Sequence, residues 1–130
     1  MILAIDLGEK TTGLAISDSS IATPYKTITH KNTEEALAKI KPIIEDENVD
    51  TVVLGFVEGK IKSMFDAFAT NLAQTMPSIK IVMWDETLTS LQARQTLIKL
   101  QVPKLKRAAR EHEVAASFIL QSYLDTNYSE

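Results

Sequence analysis

The stretch MILAIDLGEKTTGLAISD, residues 1–18, contains two apolar runs, and each run ends at an aspartate. The first run, residues 2–5, is continuously apolar, which is typical of a strand buried on both faces. Residues 9–12 predict a turn, and residues 13–17 predict a second strand. Because the connection is short, the two strands should be antiparallel. The chain therefore opens with a predicted hairpin whose first strand ends directly at the carboxylate of Asp6.

Further segments with strand or helix periodicity follow this hairpin. Their predicted ranges are 23–29, 51–55 and 79–84 for strands, and 33–47, 63–76, 89–100 and about 108–124 for helices. The order β-β-β-α-β-α-β-α-α predicts an α/β fold in which an antiparallel meander continues into parallel strands through helical crossovers. No segment rich in Gly, Pro or Ser interrupts this pattern, so residues 1–130 are expected to form one domain.

Two features make specific predictions about the helices. Asn32 and Glu35 form a capping-box pattern at the start of the first helix, and Pro42 is expected to kink or shorten that helix. The last helix is expected to turn four residues inward: Val114, Ala115, Phe118 and Ile119.

Composition narrows the range of functions. The formal net charge is -3, so binding to nucleic acid would need a local basic patch or metal ions rather than overall charge. The chain has no cysteine, which excludes disulfides, thiolate metal sites and a cysteine nucleophile. No segment reaches the roughly 18 apolar residues of a membrane-spanning helix. A cytoplasmic protein that does not bind membranes is therefore expected.

Acidic residues follow two of the predicted strands. Asp6 ends the first strand, and Asp85 and Glu86 end the strand that begins at residue 79. If both strands are central and parallel, their carboxyl ends share one edge and Asp6 and Asp85 come close together. Two carboxylates in one crevice repel each other unless a hard cation such as Mg2+ or Mn2+ neutralises them. The alternative is that each acid only forms a turn or caps a helix.

Two further residues of the opening hairpin, Gly8 and Asp18, have predicted roles. Gly8 would allow a sharp turn beside the site. Asp18 ends an antiparallel strand, so it should lie at the opposite edge of the sheet as a turn residue.

At this point the sequence resembles the YqgF/RuvX-like family, relatives of Holliday-junction resolvases within the RNase H-like superfamily. The matching segments occur in the family's order and cover nearly the whole chain. They are AIDLGEKTTGLAISD, ATPYKTI, VVLG, WDETLTS and VAASFILQSYLD.

The resemblance implies a five-stranded mixed sheet flanked by helices and metal-dependent hydrolysis of phosphodiester bonds in structured nucleic acid. It implies processing of the 5′ end of the 16S ribosomal RNA precursor or resolution of Holliday junctions. The implied mechanism uses two metal ions roughly 3.5–4 Å apart. On this sequence Asp6 matches the family's first-strand aspartate, Asp85 matches the aspartate of its Asp-Glu-Arg stretch, and Glu86 follows.

The chain departs from the family pattern at several positions. Thr87 replaces an arginine that could hold a phosphate in bidentate fashion. His112 stands where the family carries an aspartate on the last helix, so either His112 or Glu111 could supply the third ligand. Imidazole suits Mn2+ better than Mg2+. Glu58 is a remote further candidate, and the alternative for both His112 and Glu111 is a solvated helix residue.

Basic residues concentrate before the last helix. No acid occurs between residues 87 and 110, a stretch that could hold a phosphate backbone and present it to the metals. A solvated helix face is the alternative. The candidate nucleic-acid contacts are Lys104, Lys106, Arg107 and Arg110, with Lys10 after Gly8 as a further one.

Two other functional classes compete with the nuclease. One is a binding module for nucleic acid or ribosome precursors whose catalytic set has decayed at residues 87 and 112. The other is an actin-like nucleotide-binding domain, whose first hairpin has a similar sequence. The expected partners are structured RNA or branched DNA, with a pre-ribosomal particle as a further candidate, and the chain could act as a monomer or a homodimer.

Overall fold

In the computed structural model the described residues are 1–56, 62–85 and 104–128, and in the last range the side chains of 111–126. The predicted helix at 89–100 and the candidate residues Glu58, Glu86 and Thr87 lie outside this part of the chain. Within it, no helix is long and apolar enough to cross a membrane.

Five strands and three helices make up the described part. The strands are β1 Ile2–Asp6, β2 Thr11–Ser17, β3 Thr23–Thr29, β4 Thr51–Phe56 and β5 Lys80–Asp85, and the helices are α1 Thr33–Asp46, α2 Lys62–Thr75 and α3 Lys104–Tyr128. Within the described residues the predicted order of strands and helices is confirmed; the helix predicted at 89–100 lies outside them. The turn predicted over residues 9–12 is shorter than expected, because Thr11 and Thr12 already pair with β3.

The strands form one mixed sheet in the order β3-β2-β1-β4-β5. β2 pairs antiparallel with both β1 and β3, whereas β4 pairs parallel with both β1 and β5. This is the antiparallel meander joined to parallel strands that the sequence predicted. β1 lies at the centre with a strand pair on either side, which explains its continuously apolar sequence.

The two faces of the sheet bury different residues because side chains alternate along each strand. One face carries large apolar side chains and packs against α1 and α2. Its members include Leu3, Ile5, Leu14, Val52, Leu54, Ile40, Ile44, Phe65, Phe68 and Leu72. The other face carries small residues at its centre, including Ala4 and Ala15, and packs against α3. Small side chains on this face allow α3 to lie close to the sheet.

Helix α1 begins at the predicted residue and ends one residue before its predicted end. The side chain of Asn32 accepts a hydrogen bond from the backbone N–H of Glu35 at 2.8 Å, which confirms the N-cap. Pro42 lies inside a helix that runs on to Asp46, so the expected shortening is wrong. Pro42 and Ala38, whose carbonyl loses its helical partner at a proline, are both exposed, and water can satisfy that carbonyl.

Helix α3 faces the sheet along a different stripe from the predicted one. The residues that pack on the sheet are Ala116, Ile119, Leu120, Tyr123 and Leu124. Val114 and Ala115 are buried, but they form a separate small cluster with Phe118. Three of the predicted inward residues, Val114, Ala115 and Ile119, are therefore buried, and Phe118 is partly buried. Only Ile119 belongs to the stripe that packs on the sheet, because the contact with the sheet sets the rotation of α3.

Candidate active site

The carboxyl ends of three parallel strands share one edge of the sheet. The register pairs Asp6 of β1 with Gly55 of β4, and Phe56 of β4 with Asp85 of β5. Asp6 and Asp85 therefore end their strands at the same edge, as the sequence predicted. Asp18 follows a strand whose last residue, Ser17, pairs with Ile2, so it lies at the opposite edge, as expected.

Asp6 is a buried carboxylate in contact with the last helix. It is 6% exposed, and the alternation along β1 assigns it, like Ala4, to the α3 face. Its Oδ2 lies 3.5 Å from Nδ1 of His112. The hydrogen bond to Asp6 and the negative charge of that carboxylate raise the pKa of His112, although burial opposes the increase. The structure thus brings Asp6 of β1 into contact with His112 of α3, one of the two residues predicted as the third ligand.

Gly13 sets the closeness of α3 to the sheet. It pairs with Asp6 across β1 and β2. A Cβ at residue 13 would overlap the backbone carbonyl of His112 and lie 2.6 Å from the backbone nitrogen of Glu113. The helix backbone therefore rests directly on this glycine, beside the Asp6–His112 contact. Sequence reasoning passed over Gly13, although a glycine inside a strand often marks a close backbone approach.

The turn after Asp6 is tight. A Cβ at Gly8 would overlap the carbonyl oxygen of Thr11, so this turn accepts no side chain at that position without moving. The expectation that Gly8 allows a sharp turn beside Asp6 is consistent with this geometry. The backbone N–H of Gly8 points to the hydroxyl of Thr12 at 3.5 Å.

Asp85 lies at the same edge of the sheet as Asp6 but on the opposite face. Trp84 packs edge-on against Tyr123 of α3 at 5.7 Å between ring centroids, and the residue after it alternates to the other side. Asp85 also pairs with Phe56, which packs on the α1–α2 side. With β4 between them, the structure does not bring the carboxylates of Asp6 and Asp85 together on one face. Asp85 makes interactions of its own.

The contact between Asp6 and His112 fits a divalent cation. A carboxylate oxygen and an imidazole nitrogen are both common ligands of such ions. Two neighbouring ligands of one octahedral ion lie roughly 3 Å apart, close to the 3.5 Å between Oδ2 and Nδ1. In the described residues, no three His, Asp or Glu side chains are grouped closely enough to hold a metal ion. Asp6 and His112 could therefore supply two of the ligands of a divalent cation, but not a complete set.

A family model described as "RuvX: Holliday junction resolvase" matches residues 1–126. The chain belongs to the RuvX family. Among curated relatives, two Staphylococcus aureus proteins, from strains bovine RF122 / ET3-1 and JH9, are named "Putative pre-16S rRNA nuclease". Each is 36% identical over 135 aligned residues, which cover 96% of this chain and 95% of the relative.

Solved resolvase structures share the fold. The fowlpox virus resolvase in complex with Holliday junction DNA has a TM-score of 0.63 at 16% identity, with 98% of each chain covered. T. thermophilus RuvC in complex with a Holliday junction substrate has a TM-score of 0.61 at 14% identity, with 97% of this chain and 94% of RuvC covered. These similarities confirm the predicted RNase H-like fold of this RuvX protein.

Membership of the RuvX family also confirms the predicted enzyme class, a nuclease. It assigns the chain to the RuvX family and not to the actin-like nucleotide-binding proteins. The individual site residues remain predictions.

The remaining predicted site residues occupy different parts of this RuvX fold. Glu111 is partly buried, and its charge contributes to the raised pKa of His112. Lys10 is exposed, and its Nζ donates to the backbone carbonyl of Lys31 at 2.8 Å. The basic stretch belongs to the first part of α3, where side chains are outside the described set: Lys104, Lys106, Arg107 and Arg110.

Proposed function

We propose that this RuvX protein hydrolyses phosphodiester bonds in structured nucleic acid with a divalent cation held at the carboxyl edge of the sheet. The observation that carries the proposal is the buried carboxylate of Asp6, 3.5 Å from His112, beside a tight turn at the end of the central strand. A buried acid is stabilised by a hydrogen-bond donor or a positive charge, and the imidazole of His112, whose pKa Asp6 raises, lies in contact with it.

The ligands of the cation would come from three parts of the fold: β1, α3 and the end of β5. Asp6 on β1 and His112 on α3 would bind it directly, and Glu111 lies next to His112 in the chain. The candidates from β5 are Asp85, its last residue, and Glu86, which follows it in the sequence. The chemistry that a divalent cation supplies in nucleases is the activation of water and the neutralisation of charge on the phosphate.

His112 has a defined role in the metal-free protein. Its Nδ1 faces Oδ2 of Asp6 at 3.5 Å, and a proton on this nitrogen would form a hydrogen bond that stabilises the buried carboxylate. A cation would take the place of that proton between the two side chains. Because imidazole suits Mn2+ better than Mg2+, we expect Mn2+ to be the better activator.

The proposed substrate is structured RNA, with branched DNA as the second candidate. The 36% identical relatives carry the name of pre-16S rRNA nucleases, which favours processing of the 5′ end of that precursor, either free or on a pre-ribosomal particle. The more distant structural neighbours hold Holliday junction DNA. The basic stretch at the start of α3 lies on the same helix as His112, so it is suited to hold the phosphate backbone near the site.

Cleavage in the presence and absence of metal tests the function. Wild-type protein is incubated with a folded pre-16S 5′ leader and with a four-way DNA junction, each with Mg2+, Mn2+ or a chelator. The proposal expects cleavage that needs the metal and prefers one substrate. Tight binding without any cleavage would instead support the decayed binding module suggested by Thr87 and His112.

Charge removal in the basic stretch should weaken substrate binding without changing the metal site. Replacing Lys104, Lys106 and Arg107 with glutamine is expected to lower affinity and flatten its dependence on salt, because fewer counterions are released. Each lost phosphate contact should reduce the slope of log K against log salt by about 0.7 to 0.9. The measurement is fluorescence anisotropy over a salt series.

A variant with the same charge change elsewhere controls for net charge. Lys26, Lys41 and Lys80 are exposed and lie outside the predicted substrate path. Replacing these three with glutamine should leave the slope near that of the wild type. Equal slopes in both triple variants would remove the basic stretch from the substrate path.

The identity of residue 112 should set the preference between metals. His112→Asp introduces the residue that the family pattern carries there, an oxygen ligand that suits Mg2+. We expect the ratio of the Mn2+-supported to the Mg2+-supported rate to fall by about tenfold in this variant. His112→Ala should weaken activation by both metals.

The neighbouring acid provides the matched control for residue 112. Glu113→Gln alters the same helical turn without changing the Asp6 contact, so it should keep the wild-type ratio of rates. A His112→Asp protein with an unchanged ratio would show that residue 112 does not bind the metal.

A further inference from the structure

A buried polar pair lies near the end of the sheet that carries Asp6, on the opposite face. Thr12 is fully buried and His30 is 6% exposed, and Oγ1 of Thr12 lies 2.7 Å from Nε2 of His30. Thr12 pairs with Ile28, a member of the α1–α2 core, so the pair borders that core and not α3. Neither residue belongs to the proposed ligand set.

The pair is connected to the segment that follows Asp6. The hydroxyl of Thr12 accepts the backbone N–H of Gly8 at 3.5 Å, and the backbone N–H of His30 donates to the carbonyl of Lys10 at 2.9 Å. The Nζ of Lys10 donates to the carbonyl of Lys31 at 2.8 Å. His30 and Lys31, which follow β3, therefore make three contacts with residues 8–12. Two are hydrogen bonds to Lys10, and the third joins His30 to the N–H of Gly8 through the hydroxyl of Thr12.

Packing alone does not account for this pair. Its members are buried polar groups, and the removal of polar groups from water costs free energy. An apolar pair of similar volume would bury the same surface without that cost. Burial lowers the pKa of His30, with the backbone hydrogen bond to Asn32 and the charge of Glu35 opposing the change and the charges of Lys39 and Lys10 adding to it, so the ring is neutral at neutral pH. A polar pair kept at this cost indicates a need for directed hydrogen bonds.

We propose that Thr12 and His30 are positioning residues that fix the turn after Asp6 through the N–H of Gly8. They thereby orient the carboxylate of Asp6 toward His112 and hold Lys10 beside the edge of the sheet. The inference rests on the proposed function, since it concerns metal binding by Asp6. The hydrogen-bonded link itself can be measured in the metal-free protein.

The test compares shape-conserving variants with hydrogen-bonding ones. Thr12→Val removes the hydroxyl, whereas Thr12→Ser retains it; His30→Phe removes the ring nitrogens, whereas His30→Gln retains a polar group. Thr27→Val is the matched control. Its hydroxyl is also buried but has no partner in the described part of the chain, and Thr27 pairs with Gly13, the residue after Thr12.

The first readout is amide hydrogen exchange of Gly8 without metal. Exchange at Gly8 should become about tenfold faster in Thr12→Val, as expected for loss of one hydrogen bond, and stay near the wild-type rate in Thr12→Ser and Thr27→Val. Should Thr12→Val fail to fold, the comparison of His30→Phe with His30→Gln makes the same measurement. Equal rates in the polar and apolar variants would overturn the inference.

The second readout separates positioning from a structural role. The Mn2+ concentration that gives half of the metal-induced rise in melting temperature should increase about tenfold in Thr12→Val and be restored in Thr12→Ser. Faster exchange at Gly8 with unchanged Mn2+ dependence would overturn positioning and leave a structural contact. If the wild type binds Mn2+ but cleaves nothing, the proposed function fails, while both readouts still decide this inference.

Discussion

Replacing Asp6 with asparagine should reduce metal-dependent cleavage by about a thousandfold or more. The asparagine side chain keeps the size of the aspartate but loses the charge that would hold a divalent cation. The rise in melting temperature with Mn2+ should disappear in the same variant, because a ligand stabilises only the state that binds it. Cleavage rates at saturating Mn2+ and melting curves over a Mn2+ titration measure the two effects.

The control for this variant lies at the other edge of the sheet. Asp18→Asn makes the same chemical change at an exposed aspartate that follows the strand paired with β1, and it should keep wild-type cleavage and Mn2+ response. Melting without metal must accompany both assays, since Asp6→Asn also removes the negative charge that faces His112. Cleavage by Asp6→Asn at the wild-type rate would contradict the proposed site.

The same assay can distinguish the role of Asp85, the last residue of β5, from that of Glu86, the next residue in the sequence. The register assigns Asp85 to the face opposite Asp6, so Asp85→Asn and Glu86→Gln are not expected to be equivalent. The variant with the larger loss of metal-dependent cleavage identifies the residue that completes the ligand set.

Gly13→Ala should be the most destabilising single methyl addition at this site. The added Cβ would overlap the carbonyl of His112 and approach the backbone nitrogen of Glu113, and backbone atoms cannot move aside as a flexible side chain can. Overpacking of this kind costs about 3 kcal/mol or more. Helix α3 would have to move away from β2, which would also separate His112 from Asp6.

Urea unfolding and a Mn2+ titration test both consequences of the Gly13 change. Thr11→Ala is the control, because it introduces the same residue on the same strand by removing atoms instead of adding them. We expect the control to unfold within about 1 kcal/mol of the wild type. A Gly13→Ala protein of wild-type stability and Mn2+ affinity would show that the glycine does not set the position of α3.

The framework of the site followed from local patterns in the sequence. The mixed sheet was predicted from the short connection after Asp6 and from the alternation of strands with helices. The apolar run that ends at Asp6 predicted the edge of the sheet at which this residue lies. Asn32 predicted the start of α1 because its cap is formed by residues only three apart. The resemblance to RuvX added the enzyme class, since its motifs are spread over nearly the whole chain.

The partners of Asp6 were decided by the tertiary structure. Helix periodicity left Glu111 and His112 both open as ligands, since the rotation of a helix depends on what it packs against. Gly13 and the small residues of the α3 face set that rotation. Asp85 was expected close to Asp6 because the ends of strands can be predicted from the sequence. The register of the strands assigns Asp85 to the opposite face of the sheet, and the sequence alone does not determine that register.

The contact between Thr12 and His30 could not be predicted from the sequence either. The two residues are 18 positions apart, and neither lies in a motif that predicts a contact between them. The sequence by itself determined which strands exist, where the central one ends and the family to which the chain belongs, because these properties arise from neighbouring residues or from patterns along the chain. Only the folded protein determined which side chains meet Asp6 and the turn behind it, because contacts between distant residues depend on how close α3 and β3 approach the central strand.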